Sequence, residues 1–129
     1  MGAIDIDVDD LQDPFAPAPE DRYTIEVTEY SDDDSKAGDE MHFFRLTISG
    51  DNQYAGKHIR CYHTMTEKAK EFSLWAIRNY ALAAHLDLKK VFKDPSILVG
   101  SIFDVQLSID PGGGGYGPSN GVATVYIDS

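Results

Sequence analysis

The sequence predicts a mostly β domain with one helix, built from five strands in the order β-β-β-α-β-β and preceded by an acidic arm. Three observations support this prediction. Residues 23–28 alternate between apolar and polar side chains, which is the period of a half-buried strand. Apolar residues between Glu67 and His85 recur at the period of a helix instead. Strand-like alternation returns between Ser101 and Ile109, so one helix separates two groups of strands.

Residues 1–21 are expected to form the acidic arm, and residues 22–129 a single domain. Pro14, Pro17 and Pro19 prevent a continuous helix in the arm, and its charge opposes collapse. A chain of 129 residues is long enough for one hydrophobic core but not for two. The arm is therefore expected to extend from one compact body.

The first three strands are separated by polar turns. Asp32 to Asp39 is typical of a hairpin loop, with a glycine available for positive φ. The second strand is expected at Met41 to Ile48, and the third at about Lys57 to His63. Together with the first, they predict an antiparallel three-stranded unit.

The remaining elements follow from capping and turn signals. Thr64 to Glu67 has the Thr-x-x-Glu form of a capping box, and Thr66 alone is an equally good N-cap. Leu86 to Phe92 is expected to add a short helical turn. A glycine-rich loop at residues 111–121 precedes the closing strand, residues 122–127.

This order of elements is that of the OB-fold, a five-stranded barrel with its helix between strands three and four. Closure of a barrel removes the exposed strand edges that an open sheet would leave. An open α+β sheet with the helix on one face is the alternative, because the order of strands in a sheet cannot be read from sequence.

The acidic charge of the chain is concentrated near its N-terminus. The first forty residues contain 14 of the 22 acidic residues but only two of the 11 basic ones. The formal net charge of the whole chain is −11, yet the remainder is close to neutral. A nucleic-acid-binding face is therefore compatible with the net charge, provided that it lies on the body.

Other patterns favour a protein without catalytic or metal chemistry. The single cysteine, Cys61, cannot form an internal disulfide and is expected to be a buried thiol. His58 and His63 are five residues apart on a predicted strand, so they should face opposite sides. The glycine-rich loop lacks the lysine of a phosphate-binding loop. We expect no enzyme activity, no cofactor, no metal and no membrane partner.

Short motifs occur in a fixed order along nearly the whole chain. They are Asp13-Pro14-Phe15, Arg22 to Val27, Ser35 to Gly38, Tyr54 to Lys57, Leu74 to Arg78 and Leu98 to Gly100. Together they resemble a family of small bacteriophage proteins that are similar to single-stranded-DNA-binding proteins. The late glycine-rich turn departs from this pattern, since similar proteins have a shorter polar hairpin. The resemblance implies an OB-like fold, DNA replication or recombination in the host bacterial cytoplasm, and no catalytic residues.

The candidate DNA-binding surface combines aromatic rings, which stack on bases, with cations, which contact phosphates. Alternation lets Arg60 and Tyr62 share one face of strand three, and Phe43 and Arg45 one face of strand two. Either Phe43 or Phe44 must lie in the core. The predicted DNA-binding residues are Phe44, Arg45, Tyr54, Lys57, Arg60, Tyr62 and Tyr116.

Two further aromatic residues have alternative interpretations. Trp75 lies at helical spacing and is expected in the core rather than on a binding surface. Tyr116 lies in the glycine-rich loop, which is either a hairpin tip or a flap that closes over DNA. Spacing alone does not decide between these roles.

The arm contains the predicted partner-binding residues Asp9, Asp10, Asp13 and Phe15. They resemble the acidic Pro-Phe tips through which bacterial single-strand-binding proteins recruit repair enzymes. The expected partner is a host or phage replication or recombination protein, and a second copy of the chain is a further candidate. Alternatively, the arm shields the DNA face, imitates DNA or only increases solubility. The alternative function is an acidic phage protein that binds and inhibits a host DNA-processing or defence protein.

Overall fold

The computed structural model describes residue 3 and residues 16–34, 38–113 and 117–127. Within these ranges the predicted order of five strands around one long helix is confirmed, and two short helical segments follow that helix. The elements are β1 (Arg22–Asp34), β2 (Glu40–Ile48), β3 (His58–Thr64), α1 (Lys70–Ala83), α2 (Leu88–Lys93), a 3₁₀ turn (Pro95–Leu98), β4 (Ile102–Asp110) and β5 (Ser119–Tyr126). In the same ranges, no helix has the length and apolar character required to cross a membrane.

The five strands form one antiparallel sheet in the order β3-β2-β1-β4-β5. The central strand, β1, pairs with β2 along most of its length and with β4 through its first half. The two outer strands, β3 and β5, lie near each other but are not hydrogen-bonded neighbours in the part of the chain that the structure describes. The sheet is therefore barrel-like, with an unpaired seam between β3 and β5.

The core lies on the inner side of this sheet, and α1 packs against β3 and β5. Alternate residues of β1 point inward, and Ile25 and Val27 are fully buried. From α1, the Tyr80 ring packs edge-on against Phe44, with ring centroids 5.5 Å apart, and stacks on Phe103 at 5.9 Å. These contacts join the helix to strands on both sides of β1.

The first strand is longer than the sequence predicts. Asp32, Asp33 and Asp34, expected in a hairpin loop, belong to β1 and pair with His42, Met41 and Glu40 of β2. Their carboxylates are exposed while their backbone pairs with β2, so side-chain polarity wrongly predicted a turn here. A bulge between Val27 and Glu29 shifts the register partway along this pair.

The ends of two other elements also differ from expectation. β5 begins at Ser119, whereas residues 119–121 were expected in the glycine-rich loop. Helix α1 begins at Lys70 instead of Glu67. The Thr66 hydroxyl accepts a bond from the Ala69 amide at 3.2 Å, so its side chain stabilises the turn that leads into the helix.

The final residues of the predicted arm pack against the domain. Ala18 is fully buried, and its backbone exchanges two hydrogen bonds with the Asn120 side chain, of 2.8 and 2.9 Å. The Lys57 ammonium donates to the Ala16 carbonyl at 2.8 Å, and the Tyr23 hydroxyl donates to the Pro19 carbonyl at 2.8 Å. Residues 16–20, which we call the strap, therefore pack against the domain although they precede the expected boundary at residue 21.

Candidate nucleic-acid interface

Alternation along β2 and β3 divides their side chains between the core and the outer surface. Phe43 pairs with Tyr62 across the two strands, and Arg45 pairs with Arg60. Because successive side chains of a strand point to opposite faces, these four residues share the outer side of the sheet. We call them the outer face. The outer face therefore brings together three of the predicted DNA-binding residues, Arg45, Arg60 and Tyr62, with Phe43 beside them.

The aromatic half of the outer face is a cross-strand pair. The ring centroids of Phe43 and Tyr62 are 5.0 Å apart, with an angle of 37° between the ring planes. Tyr62 remains 57% exposed, whereas Phe43 is half-buried. Contact with Phe43 restricts the Tyr62 ring and leaves much of its surface open to a ligand.

The two arginines of the outer face differ in their surroundings. One Arg45 Nη atom lies 3.2 Å from the Glu29 carboxylate, and Arg45 Nε donates to the Thr28 hydroxyl at 3.2 Å. Arg60 is exposed and makes no side-chain hydrogen bond or ion pair within the described part of the chain. Since Glu29 offsets the charge of Arg45, Arg60 is the better placed cation for a phosphate.

One predicted DNA-binding residue is wrongly placed by the sequence analysis. Phe44 is fully buried, with its ring centroid 5.0 Å from that of Tyr30 and 5.5 Å from that of Tyr80. A base cannot stack on a ring that the core covers on all sides. Phe43, its neighbour in sequence, is the phenylalanine that reaches the outer face.

Tyr54 and Lys57 lie at the opposite end of β3 from Tyr62, in the β2–β3 connection. The Tyr54 ring packs edge-on against Tyr23 at 6.1 Å, beside a cleft whose lining includes Asp21 and Asp51. Those carboxylates oppose the approach of phosphate, and the Lys57 ammonium bonds the strap. The structure therefore does not join these two residues to the outer face.

The remaining predicted contacts lie outside the described residues. They are Asp9, Asp10, Asp13, Phe15 and Tyr116. Their roles stay predictions.

Helix α1 carries two aromatic residues whose exposure the sequence does not predict. Phe72 is 80% exposed and Trp75 is 60% exposed, so the expectation of a core tryptophan is wrong. The buried side of the helix contains Ser73, Ile77 and Tyr80 instead. Ser73 takes a core position because its hydroxyl donates to the Thr64 carbonyl at 2.7 Å. Because serine is polar, the pattern of apolar residues does not identify the side of the helix that contains Ser73 as the buried side.

On the inner side of β3, the side chains of Cys61, His63 and Tyr80 form a polar cluster that is neutral at pH 7. Cys61 is buried, as predicted, and its burial raises the pKa of the thiol to about 11. Burial, with a smaller effect from His42, lowers the pKa of His63 to about 4. One His63 nitrogen lies 3.0 Å from the Tyr80 hydroxyl, while His58 is exposed, as expected for opposite faces.

A second hydrogen-bonded chain runs along the hairpin of β1 and β2. The Tyr30 hydroxyl lies 2.6 Å from His42 Nδ1, and His42 Nε2 lies 2.9 Å from the Glu40 carboxylate. Burial, followed by the charge of Asp32, raises the pKa of Tyr30 to about 12. The phenol therefore keeps its proton at neutral pH and is not activated as a nucleophile.

A scan against protein-family models finds no match to this chain, and a search of curated proteins finds no relative.

Proposed function

We propose that this chain binds single-stranded DNA without catalysis and that the outer face is the contact surface. The observation that carries the proposal is the grouping of the Phe43–Tyr62 ring pair with Arg45 and Arg60 on two adjacent strands. Rings supply platforms for bases of any sequence, and cations bind the sugar-phosphate backbone. The surface therefore suits a single strand whose bases are unpaired.

We further propose that the sheet is an OB-fold. The pairing of β1 with both β2 and β4 supports this, as does the unpaired seam between β3 and β5, because the OB-fold is a partly open five-stranded barrel. OB-folds bind nucleic acid across strands two and three, between the β1–β2 and β4–β5 loops. The outer face lies on those two strands.

The proposed role is phage replication or recombination, with the acidic arm recruiting a partner or shielding the DNA face. The packing of the strap supports one refinement of this proposal. Because Ala18 is buried against the domain and the Ala16 carbonyl accepts a hydrogen bond from Lys57, the segment available for recruitment or shielding ends before Ala16. Truncations that test the arm should therefore remove residues 1–15 and retain the strap.

Titration of labelled oligo-dT over a series of salt concentrations tests the proposal. We expect binding at low salt that weakens as salt rises, because phosphate contacts release counterions. Tyr62→Ala should weaken binding about 5- to 150-fold, since stacking contributes roughly 1–3 kcal/mol per base. Arg60→Gln should weaken binding and reduce the salt dependence by about one phosphate contact.

Two matched controls separate these effects from general changes in the protein. Phe92→Ala removes another exposed ring, on α2, and Lys89→Gln removes the same charge as Arg60→Gln from an exposed site on α2. Both controls should bind like the wild type. Absence of binding at low salt, or binding that salt leaves unchanged, contradicts the proposal.

A further inference from the structure

A groove lies along the seam, where β3 and β5 approach each other beside α1. It encloses about 560 Å³. Its lining comes from β3, α1 and β5 and includes Arg60 and Tyr62 of β3 and Phe72 and Trp75 of α1. We call it the seam groove. Its position beside unpaired strands distinguishes it from the cleft at Tyr54.

Exposed aromatic rings border the seam groove. Trp75 is 60% exposed and Phe72 is 80% exposed, one helical turn apart on the same side of α1. Tyr62 borders the groove from β3. Burial of large rings stabilises a fold, so most such rings lie in the core. Adjoining exposed rings of this size therefore indicate a binding surface.

The charge of the seam groove also has one sign. None of the described residues that line it is acidic, although the chain carries a net charge of −11. Arg60 lies within it, and the Arg78 guanidinium carbon lies 4.3 Å from the centroid of the Trp75 ring at its border. A cation against an indole provides both a stacking surface and a phosphate contact. The combination favours an anionic aromatic ligand.

The seam groove is continuous with the outer face, because Arg60 and Tyr62 belong to both. A strand that stacks on Tyr62 can therefore continue around the edge of β3 towards Trp75 along a groove whose described lining residues include no acidic side chain. Single-stranded-DNA sites of about 4–16 nucleotides are usual for one OB-fold, so a second stretch of contacts is compatible with such a domain.

We infer that the seam groove is a second segment of the single-stranded-DNA site, with a base on Trp75 and a phosphate at Arg78. The inference rests on the proposed function, since it extends the path from the outer face. It predicts that short strands use the outer face alone and that longer strands also occupy the groove.

Trp75 is the only tryptophan in the chain, so its fluorescence reports on the groove directly. The experiment titrates the full chain with labelled oligo-dT of about 5 and about 12 nucleotides, lengths within the usual site size. Label anisotropy measures binding, and tryptophan emission measures occupation of the groove. We expect quenching of Trp75 in proportion to binding for the longer strand and little quenching for the shorter one.

Two variants test the same inference by affinity. Trp75→Ala and Arg78→Gln should each lower the affinity for the longer strand at least about 5-fold, the lower end of the stacking range, and leave the affinity for the shorter strand unchanged. Tyr62→Ala should lower the affinity for both strands, whereas Phe92→Ala should change the affinity for neither strand. Binding of the longer strand without quenching, together with wild-type affinity of Trp75→Ala, overturns the inference alone. Such a result would assign the groove to another occupant, such as an acidic peptide. If neither strand binds, the proposed function is overturned as well.

Discussion

Neighbouring residues with the same chemistry can have opposite roles, as Phe43 and Phe44 illustrate. Both are phenylalanines, yet one lies beside Tyr62 on the outer face and the other is fully buried. The sequence contains the signal that separates them, since Phe44 shares its alternation with Leu46 and Ile48, which are buried. Apolar partners two and four residues away therefore identify the inward side.

At the same scale, His63 should make stability depend on pH. Its pKa is about 4 in the folded protein, against an ordinary value of 6.5, because its ring lies on the inner side of β3, largely shielded from water beside Tyr80 of α1, and faces His42 of β2. Above pH 6.5, His63 is neutral in both the folded and the unfolded protein, so its protonation does not lower the free energy of unfolding. As pH falls from 6.5 to 4, the unfolded state takes up a proton that the folded state excludes, so stability is lost.

This loss should reach up to about 3 kcal/mol, since each pKa unit corresponds to about 1.4 kcal/mol. Urea unfolding between pH 7 and pH 4 measures it, with His63→Gln as the comparison because glutamine does not titrate. The free energy of unfolding of the wild type should fall more steeply with decreasing pH than that of the variant. Parallel curves would contradict the assignment.

At the scale of elements, the sequence locates α1 but not its buried side. Its apolar residues extend around most of the helix, because they serve both the core and the seam groove. Only packing separates the two sets, and it places Ser73 inward and Trp75 outward. The same limit applies to the hairpin of β1 and β2, where exposed aspartates imitate a loop although their backbone is paired.

The strap gives a prediction for an element that the sequence analysis assigned to the arm. Asn120 makes three side-chain hydrogen bonds, two with Ala18 and one to the Ser108 carbonyl at 3.1 Å. Asn120→Ala should lower the free energy of unfolding by about 1–3 kcal/mol, since partly buried backbone groups lose their partners. Thermal or urea unfolding measures this change.

Ser119→Ala is the matched control, because Ser119 is exposed in the same strand and its change should stay within about 0.5 kcal/mol. Equal stability of Asn120→Ala and the wild type would show that the strap does not contribute to the domain.

For the whole molecule, the order of elements could be predicted from sequence, whereas the order of strands could not. Pairing of β1 with β4 joins residues about eighty positions apart, such as Thr24 and Asp104, whose side chains are 2.7 Å apart. No local pattern encodes such a contact. The unpaired seam and its groove arise from the same long-range arrangement, which is why the sequence does not predict the seam groove.

The amide spectrum of the isotope-labelled protein, recorded by NMR during titration with oligo-dT, maps the contact surface most directly. The largest shifts should fall on residues 43–45 and 60–62, with longer strands extending them to Trp75 and Arg78. Shifts concentrated around the Tyr54 cleft, or a spectrum unchanged at saturating DNA and low salt, would contradict binding at the outer face.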